Sequence, residues 1–284
     1  MSLPERVGVI GGGRMGAGIA HAFLLAGCEV TLVERDERSA DAAWQRVAES
    51  LQRSLERGAT AERPVDHVQR LRVTADAGDL RGNALVVEAV FEDLAVKIAA
   101  LCRAEEVVDA DAVLASNTSS IPIGDLAAGL ELPARLLGLH FFNPVPSSTM
   151  VEIVIGAGTD PALIDRARDW VTALGKTPVV VRDAPGFASS RLGVALALEA
   201  IRMVEDGVAT AADIDAAMEL GYRHATGPLR TTDIVGLDVR LRIAEQLHAA
   251  LGERFAPPDL LRRLVAEGHL GRKSGRGFYE WSTG

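Results

Sequence analysis

Over its first two-thirds the chain alternates short β-branched and aliphatic runs with longer segments whose apolar positions recur every three or four residues. The short runs are RVGVI (6–10), EVTLVER (29–35), LRVTA (71–75), ALVVEAV (84–90), VLASN (113–117), RLLGLHFF (135–142), VEIVIG (151–156) and TPVVVR (177–182). Helical patterns lie between most of them, at 15–26, 38–58, 92–109 and 160–174. In the second of these, Ala43, Val47, Leu51 and Leu55 stand four apart and share one helix face. Strands alternating with helices predict a mostly parallel sheet covered on both faces, and the continuously apolar strands fit that burial.

The pattern changes at DAPGF (183–187), beyond which the one strand-like run is the C-terminal GFYEW. GFASSRLGVALALEAIRMVEDG reads as a long helix, apolar nearly all round. Such a helix must be buried in a core or against another subunit, so a homodimer is expected. TAADIDAAMEL (210–220) opens with Thr210 three residues before Asp213, an echo of a capping box, and further helices fall at 236–251 and 258–267. Two domains are expected: an α/β domain over 1–183 and an all-α C-terminal domain over 184–284.

Composition narrows the function classes. The net charge of −9 argues against broad nucleic-acid binding. No apolar run approaches the roughly 20 residues that span a bilayer. The chain begins a strand almost at once, which leaves no room for a signal or transit peptide, so a soluble cytoplasmic protein is expected. Cys28 and Cys102 form no spaced framework and read as thiols in a reducing compartment; no metal site is expected.

The first candidate chemistry is GGGRMG, which matches G-x-G-x-x-G at Gly11, Gly13 and Gly16. A strand ends at Ile10 and a helix opens at the loop, which is the context the motif requires. Gly11, Gly13, Arg14, Met15 and Gly16 are therefore candidates for holding a pyrophosphate at a helix N-terminus. Glu34 follows Gly16 by 18 residues, at the end of the second strand. A carboxylate there accepts hydrogen bonds from ribose hydroxyls and repels a 2′-phosphate, which favours NAD over NADP. Arg35 beside it keeps NADP open, because arginine holds a 2′-phosphate. The N-terminal domain is thus read as a Rossmann-type dinucleotide-binding domain.

The second is GLHFFNPVPSSTMVEIV (138–154), mostly apolar, with His140 at a strand's carboxyl end and Glu152 twelve residues later. Polar groups inside an apolar segment are costly unless paired. Hydride loss from an alcohol requires loss of the hydroxyl proton, and an imidazole titrates in the right range to take it. A carboxylate on the other ring nitrogen would orient the ring and stabilise its charged form. Spacing alone leaves equally open a purely structural His–Glu pair linking two strands.

Together with VGVIGGGRMGAGIA, VVEAVFEDLAVK, ASNTSS, LHFFNPVP, VEIV, PGF, Gly227–Pro228, DIVGLD and LGRKSGRGFY, these segments make the whole chain resemble the L-3-hydroxyacyl-CoA dehydrogenases, particularly the short bacterial 3-hydroxybutyryl-CoA dehydrogenases. The resemblance implies a dinucleotide-binding domain followed by a helical dimerisation domain. It also implies reversible NAD-dependent oxidation of a short-chain (S)-3-hydroxyacyl-CoA to the 3-ketoacyl-CoA. By the same resemblance His140 is the base, Glu152 its partner, and Ser119 the contact to the substrate's 3-oxygen. Asn117 and Asn143 line the cofactor side, Glu92 and Lys97 lie near the nicotinamide ribose, and Lys273 reaches toward the cofactor. For Glu92, Lys97 and Lys273 a solvated surface charge is the alternative.

Two positions depart from the family. Ser190, in PGFASSR, stands where the family has a substrate-side Asn, so a hydrogen bond across the cleft is lost or passes through water. SSTM (147–150) lacks the basic residue often found near Thr149. Both bear on the substrate more than on the reaction, and they motivate an alternative in which the acyl group rides on an acyl carrier protein. A nucleotide-binding protein without catalysis is the remaining alternative. Arg46, Arg53 and Arg57 recur along one helix; in the family this region helps bind CoA, and an exposed face salt-bridged with Glu49 and Glu56 is the competing reading.

Overall fold

Eight strands form one sheet in the computed structural model, which describes residues 3–282: β1 (Arg6–Ile10), β2 (Glu29–Val33), β3 (Leu71–Thr74), β4 (Leu85–Glu88), β5 (Val113–Ser116), β6 (Leu136–Phe141), β7 (Met150–Ile155) and β8 (Thr177–Arg182). Their order is β3-β2-β1-β4-β5-β6-β7-β8. The first six run parallel; β7 pairs antiparallel with β6, and β8 parallel with β7. Every residue of β4, β5 and β6 is buried, whereas the edge strands β3 and β8 are half-covered. That gradient is why the central strands read as unbroken apolar runs. The helices are α1 (Arg14–Leu25), α2 (Glu37–Glu56), α3 (Pro64–Val68), α4 (Leu94–Glu105), α5 (Ile123–Ala127) and α6 (Ala162–Ala173).

The chain divides after Asp183, and the second unit, from Ala184, is helical. It contains α7 (Ser189–Glu205), α8 (Ala211–Ala216), α9 (Pro228–Val235), α10 (Leu237–Leu251) and α11 (Asp259–Ala266), and a π-turn follows α8 at Ala217–Gly221. Its own core gathers Val194, Leu198 and Ile201 of α7 with Leu229, Leu237, Leu247, Phe255 and Leu261. Thr210 caps α8 by accepting the Asp213 N–H at 3.2 Å.

Two expectations need correction here. The helix read as apolar all round is amphipathic: Leu192 is 70 % exposed, and Glu199 and Arg202 pair on the outward side. GFYEW is not a strand; one isolated bridge, from Arg276 to Glu280, touches it. The reason is a buried carboxylate: Asp233 takes the Phe278 and Tyr279 N–H groups and the Trp281 indole N–H, so this segment's donors serve a side chain rather than a neighbouring strand. Among the described residues no helix is long and apolar enough to cross a membrane.

In the N-terminal unit α1 and α2 are joined through an imidazole. His21 is fully buried, with Nδ1 2.7 Å from Ser50 Oγ and Nε2 3.1 Å from Ser54 Oγ. Burial, reinforced by the nearby His67, Lys176 and Arg53, pushes it down to about 4. His21 is therefore neutral in the folded protein, while the unfolded chain takes up a proton below the ordinary histidine value. Its contribution is complete above about pH 6.5 and is lost as pH falls toward 4. Between pH 7 and pH 5 the wild type is expected to lose about 2 kcal/mol more unfolding free energy than His21→Gln, read from urea titrations. Parallel pH dependence in the two proteins would refute this reading.

Candidate active site

The site is built along the carboxyl ends of β1, β4, β5 and β6, where an open α/β sheet leaves its binding crevice. The first component is the turn from β1 into α1. Gly11 has φ +90°, which an L side chain rarely adopts, and a side chain at Gly16 would run into the Gly11 carbonyl. Two of the longer helices of this unit, α2 and α4, start under a side-chain cap: Asp36 accepts the Ser39 N–H at 2.7 Å, and Asp93 the Val96 N–H at 3.0 Å. At α1 the N-cap is Gly13, with no side-chain cap and no acid in the first turn. Space above Gly13 is open, and the positive end of α1 faces a cleft of ≈ 940 Å³. Gly11, Gly13, Arg14, Met15 and Glu34 line it. Glu34, one residue past β2, braces the loop by accepting the Gly12 N–H at 2.7 Å, and Arg46 donates to the Gly12 carbonyl at 3.1 Å. These residues fit a dinucleotide: amide donors and a helix dipole for the diphosphate, and a carboxylate at the end of β2 for a ribose. Arg46 and Arg53 of α2 thus part company, since Arg53 pairs with Glu49 at 3.6 Å on the exposed face.

The second component is a buried ion triplet. Glu88, the last residue of β4, is 0 % exposed and Lys97 of α4 is 1 % exposed. The Lys97 ammonium lies 2.8 Å from Glu88 Oε1 and 3.2 Å from Glu92 Oε2. Ser116 Oγ donates to Glu88 at 2.6 Å, as does the Val90 N–H. Burial drives the Glu88 carboxyl upward despite these partners. Burial acts the same way on Glu92, yet Lys97 and the hydrogen bonds from Thr118 and Ser119 outweigh it, so that carboxyl moves down. Glu92 Oε1 gathers the loop after β5: Thr118 Oγ1 and the Ser119 N–H at 2.8 Å, Ser119 Oγ at 3.1 Å, and the Ser120 N–H at 3.2 Å. Neither Glu92 nor Lys97 is a solvated surface charge. Lys97 holds both glutamates, of which Glu92 fixes the Ser119 loop, and its ammonium is engaged by them.

The third component is the pair on β6 and β7. His140 and Glu152 stand directly opposite in the antiparallel register, and Nδ1 lies 2.8 Å from Glu152 Oε2. Glu152 is 0 % exposed and His140 7 %. An ionised carboxylate only accepts, so Nδ1 carries the hydrogen and Nε2 is the nitrogen that exchanges protons. The Phe142 ring packs against the imidazole at 4.4 Å between centroids. Asn117 Oδ1 accepts the Phe141 N–H at 2.8 Å, tying the end of β5 to the strand that carries His140. Asn143 is exposed in the turn that follows.

Ser190 and Lys273 belong to the helical unit. Ser190 is the second residue of α7 and half-buried. Lys273 is paired with Asp238 at 2.6 Å. Sequence reasoning missed Glu88, although a lone acid in the apolar run ALVVEAV is the same signal that singled out Glu152.

Comparison with known proteins agrees with this construction. The model of the 3-hydroxyacyl-CoA dehydrogenase NAD binding domain matches residues 6–184, and that of the 3-hydroxyacyl-CoA dehydrogenase C-terminal domain matches residues 186–281. A 3-hydroxybutyryl-CoA dehydrogenase of Mycobacterium tuberculosis is 47 % identical over 281 residues, covering 98 % of either chain. The crystal structure of M. tuberculosis FadB2 superposes with a TM-score of 0.94 at 47 % identity, over 98 % of this chain and 99 % of that one. That of (S)-3-hydroxybutyryl-CoA dehydrogenase from Ralstonia eutropha gives 0.94 at 34 % identity, over 99 % and 100 %. The chain belongs to the 3-hydroxyacyl-CoA dehydrogenase family.

Removing one member of a buried ion pair leaves an uncompensated charge, at a cost of about 3–5 kcal/mol. Lys97→Met is expected to lose about that much unfolding free energy, with Lys97→Met/Glu88→Gln recovering a large part of it. A loss below about 1 kcal/mol in urea titration would show that the triplet is not coupled as drawn.

Proposed function

We propose that the protein interconverts a short-chain (S)-3-hydroxyacyl-CoA, such as 3-hydroxybutyryl-CoA, and the 3-ketoacyl-CoA, using NAD rather than NADP. The observation that carries the reading is the cross-strand pair of His140 and Glu152, 2.8 Å apart, in the same sheet as the uncapped glycine turn. In the oxidative direction His140 Nε2 takes the proton of the 3-hydroxyl. Glu152 keeps the hydrogen on Nδ1, so the ring presents the correct nitrogen, and it offsets the positive charge the ring acquires. Ser119 holds the 3-oxygen, its position fixed through Glu92. When bound, NAD supplies the acceptor for the hydride leaving the alcohol carbon. In the reductive direction the same imidazole returns the proton to the carbonyl oxygen.

The cofactor choice rests on Glu34, whose carboxylate is at the end of β2 where a 2′-phosphate would have to sit. Arg35 beside it is directed to Asp36 at 3.1 Å. Asn117, Asn143 and Lys273 are proposed for the cofactor and Ser190 for the substrate. A homodimer is proposed on the exposed apolar side chains of the helical unit, Leu192, Leu220 and Tyr222.

The test is to mix the protein with acetoacetyl-CoA and NADH and follow the loss of reduced-nicotinamide absorbance, then repeat with NADPH. Rapid oxidation of NADH, with NADPH far slower, is the expected outcome; turnover of NADPH alone would overturn the cofactor assignment, and none with either would overturn the reaction. His140→Ala should lower kcat by ~10²–10⁴ and leave NADH affinity nearly intact. Equal losses in turnover and cofactor binding would make the histidine structural.

A further inference from the structure

Lys176 follows the turn that ends α6. Gly175 takes a φ of +71°, and the Lys176 N–H closes back on the Val171 carbonyl at 3.1 Å, the glycine-ended finish of a helix. The next residue, Thr177, opens β8 and donates its N–H to the Thr149 carbonyl at 2.7 Å. A helix end and a strand start thus fix the Lys176 backbone from both sides. Lys176 is 8 % exposed, although lysine is almost never buried unless paired. Among the described residues no carboxylate pairs with it, and burial lowers the ammonium from its ordinary value. The ammonium donates instead to two main-chain carbonyls, that of Val145 at 2.7 Å and that of Ser148.

Both carbonyls belong to residues 142–149, the loop that joins β6, which carries His140, to β7, which carries Glu152. An ammonium has donors only, so this one group anchors the loop at two points. The loop is also seated on α1. Val145 is buried, and a Cβ on Gly18 of α1 would lie 2.9 Å from the Val145 Cβ. Glycine inside a helix is disfavoured; α1, whose N-terminus is the uncapped glycine turn, carries it where the valine packs. At the start of the loop the Phe142 ring rests against the His140 imidazole. Asn117 fixes the backbone beside His140, whereas the loop supplies packing on the ring itself.

We propose that Lys176 is a positioning residue for the proton transfer: by clamping the loop 142–149 onto α1 it holds Phe142 against the His140 ring and keeps that ring in register with the helix whose N-terminus fits the diphosphate. The inference rests on the proposed function for what the ring does, and on the loop contacts for how it is held. Lys176 acts through His140, its own ammonium being committed to the two carbonyls. Without that ammonium the buried Val145 carbonyl loses its donor, and the loop relaxes to satisfy it elsewhere. The ring then loses its fixed face, and a displacement of about 1 Å at a reacting group costs about 10²-fold in rate.

Lys176→Met keeps the apolar stem and removes the donor. In the folded variant kcat for acetoacetyl-CoA reduction is expected to fall by about 10²-fold, with NADH affinity within about twofold of wild type. Because the effect passes through the imidazole, the same substitution made in His140→Ala should cost less than about threefold. Lys176→Arg, which keeps charge and donors, should recover part of kcat. A readout without turnover is the downfield ¹H resonance of the imidazole Nδ1–H, assigned by its loss in His140→Ala; it should shift or broaden in Lys176→Met. If Lys176→Met does not fold, Gly18→Ala, which presses on Val145 from the helix side, should lower kcat and move the same resonance. A folded variant with kcat within about threefold of wild type, an equal loss in both backgrounds, or a matching loss of NADH affinity overturns the proposal. A wild type that reduces no 3-ketoacyl thioester counts against the proposed function instead, and the resonance then decides: unmoved in Lys176→Met, it overturns the clamp.

Discussion

The reversal of chain direction between β6 and β7 is the constraint on which the site depends. In an antiparallel pair, residues directly opposite project to the same side of the sheet, with their Cβ atoms close enough for side chains to meet. This is what brings His140 and Glu152 to 2.8 Å. A slip of one residue would send Glu152 to the opposite face. The register is held by what lies around it: Val151, Ile153 and Val154 are fully buried, and a side chain on Gly138 would strike Val154, its partner across the ladder. Packing chosen for burial therefore also aims the catalytic pair.

Around that pair the carboxyl edge of the sheet concentrates charge that the fold must neutralise internally. Lys97 answers two glutamates, and Glu92 in turn collects donors from three consecutive residues of the loop carrying Ser119. Asn117 then links the end of β5 to Phe141, next to His140. The serine loop and the histidine strand are each fastened by polar groups that ordinary sheet pairing would not have engaged. The glycine turn achieves the opposite end by omission: leaving α1 without a cap keeps its N–H groups for a ligand.

Much of this architecture is legible in the chain itself. All eight strands fall within short β-branched and aliphatic runs, and the central ones are unbroken because burial on both faces erases polar alternation. His140 and Glu152 stand out as polar residues inside an apolar segment, and the glycine motif sits between a strand and a helix as its chemistry requires. What could not be read depends on contacts distant in sequence. Lys97 follows Asp93 on what reads as a solvent-facing helix start, and only the packing of α4 over β4 buries its ammonium. Leu192 looks like one more core residue of a long apolar run, until the packing of α7 turns it outward. Arg240 lies in DVRLRIAEQL, where Arg240 and Arg242 look equivalent; the stripe set by Leu237, Ile243, Ala244 and Leu247 takes in the first and leaves the second outside.

The account stands on the charge partnership across β6 and β7, and Glu152→Gln examines it with little change of shape. The measurement is kcat/KM for reduction of acetoacetyl-CoA by NADH, with NADH affinity read alongside by fluorescence titration. The variant is expected to lose ~10²-fold or more in kcat/KM while holding NADH as the wild type does, because a ring that is neither oriented nor charge-balanced is a poor proton donor. An unchanged kcat/KM, or an equal loss of NADH affinity, would contradict the pairing as the source of the imidazole's function.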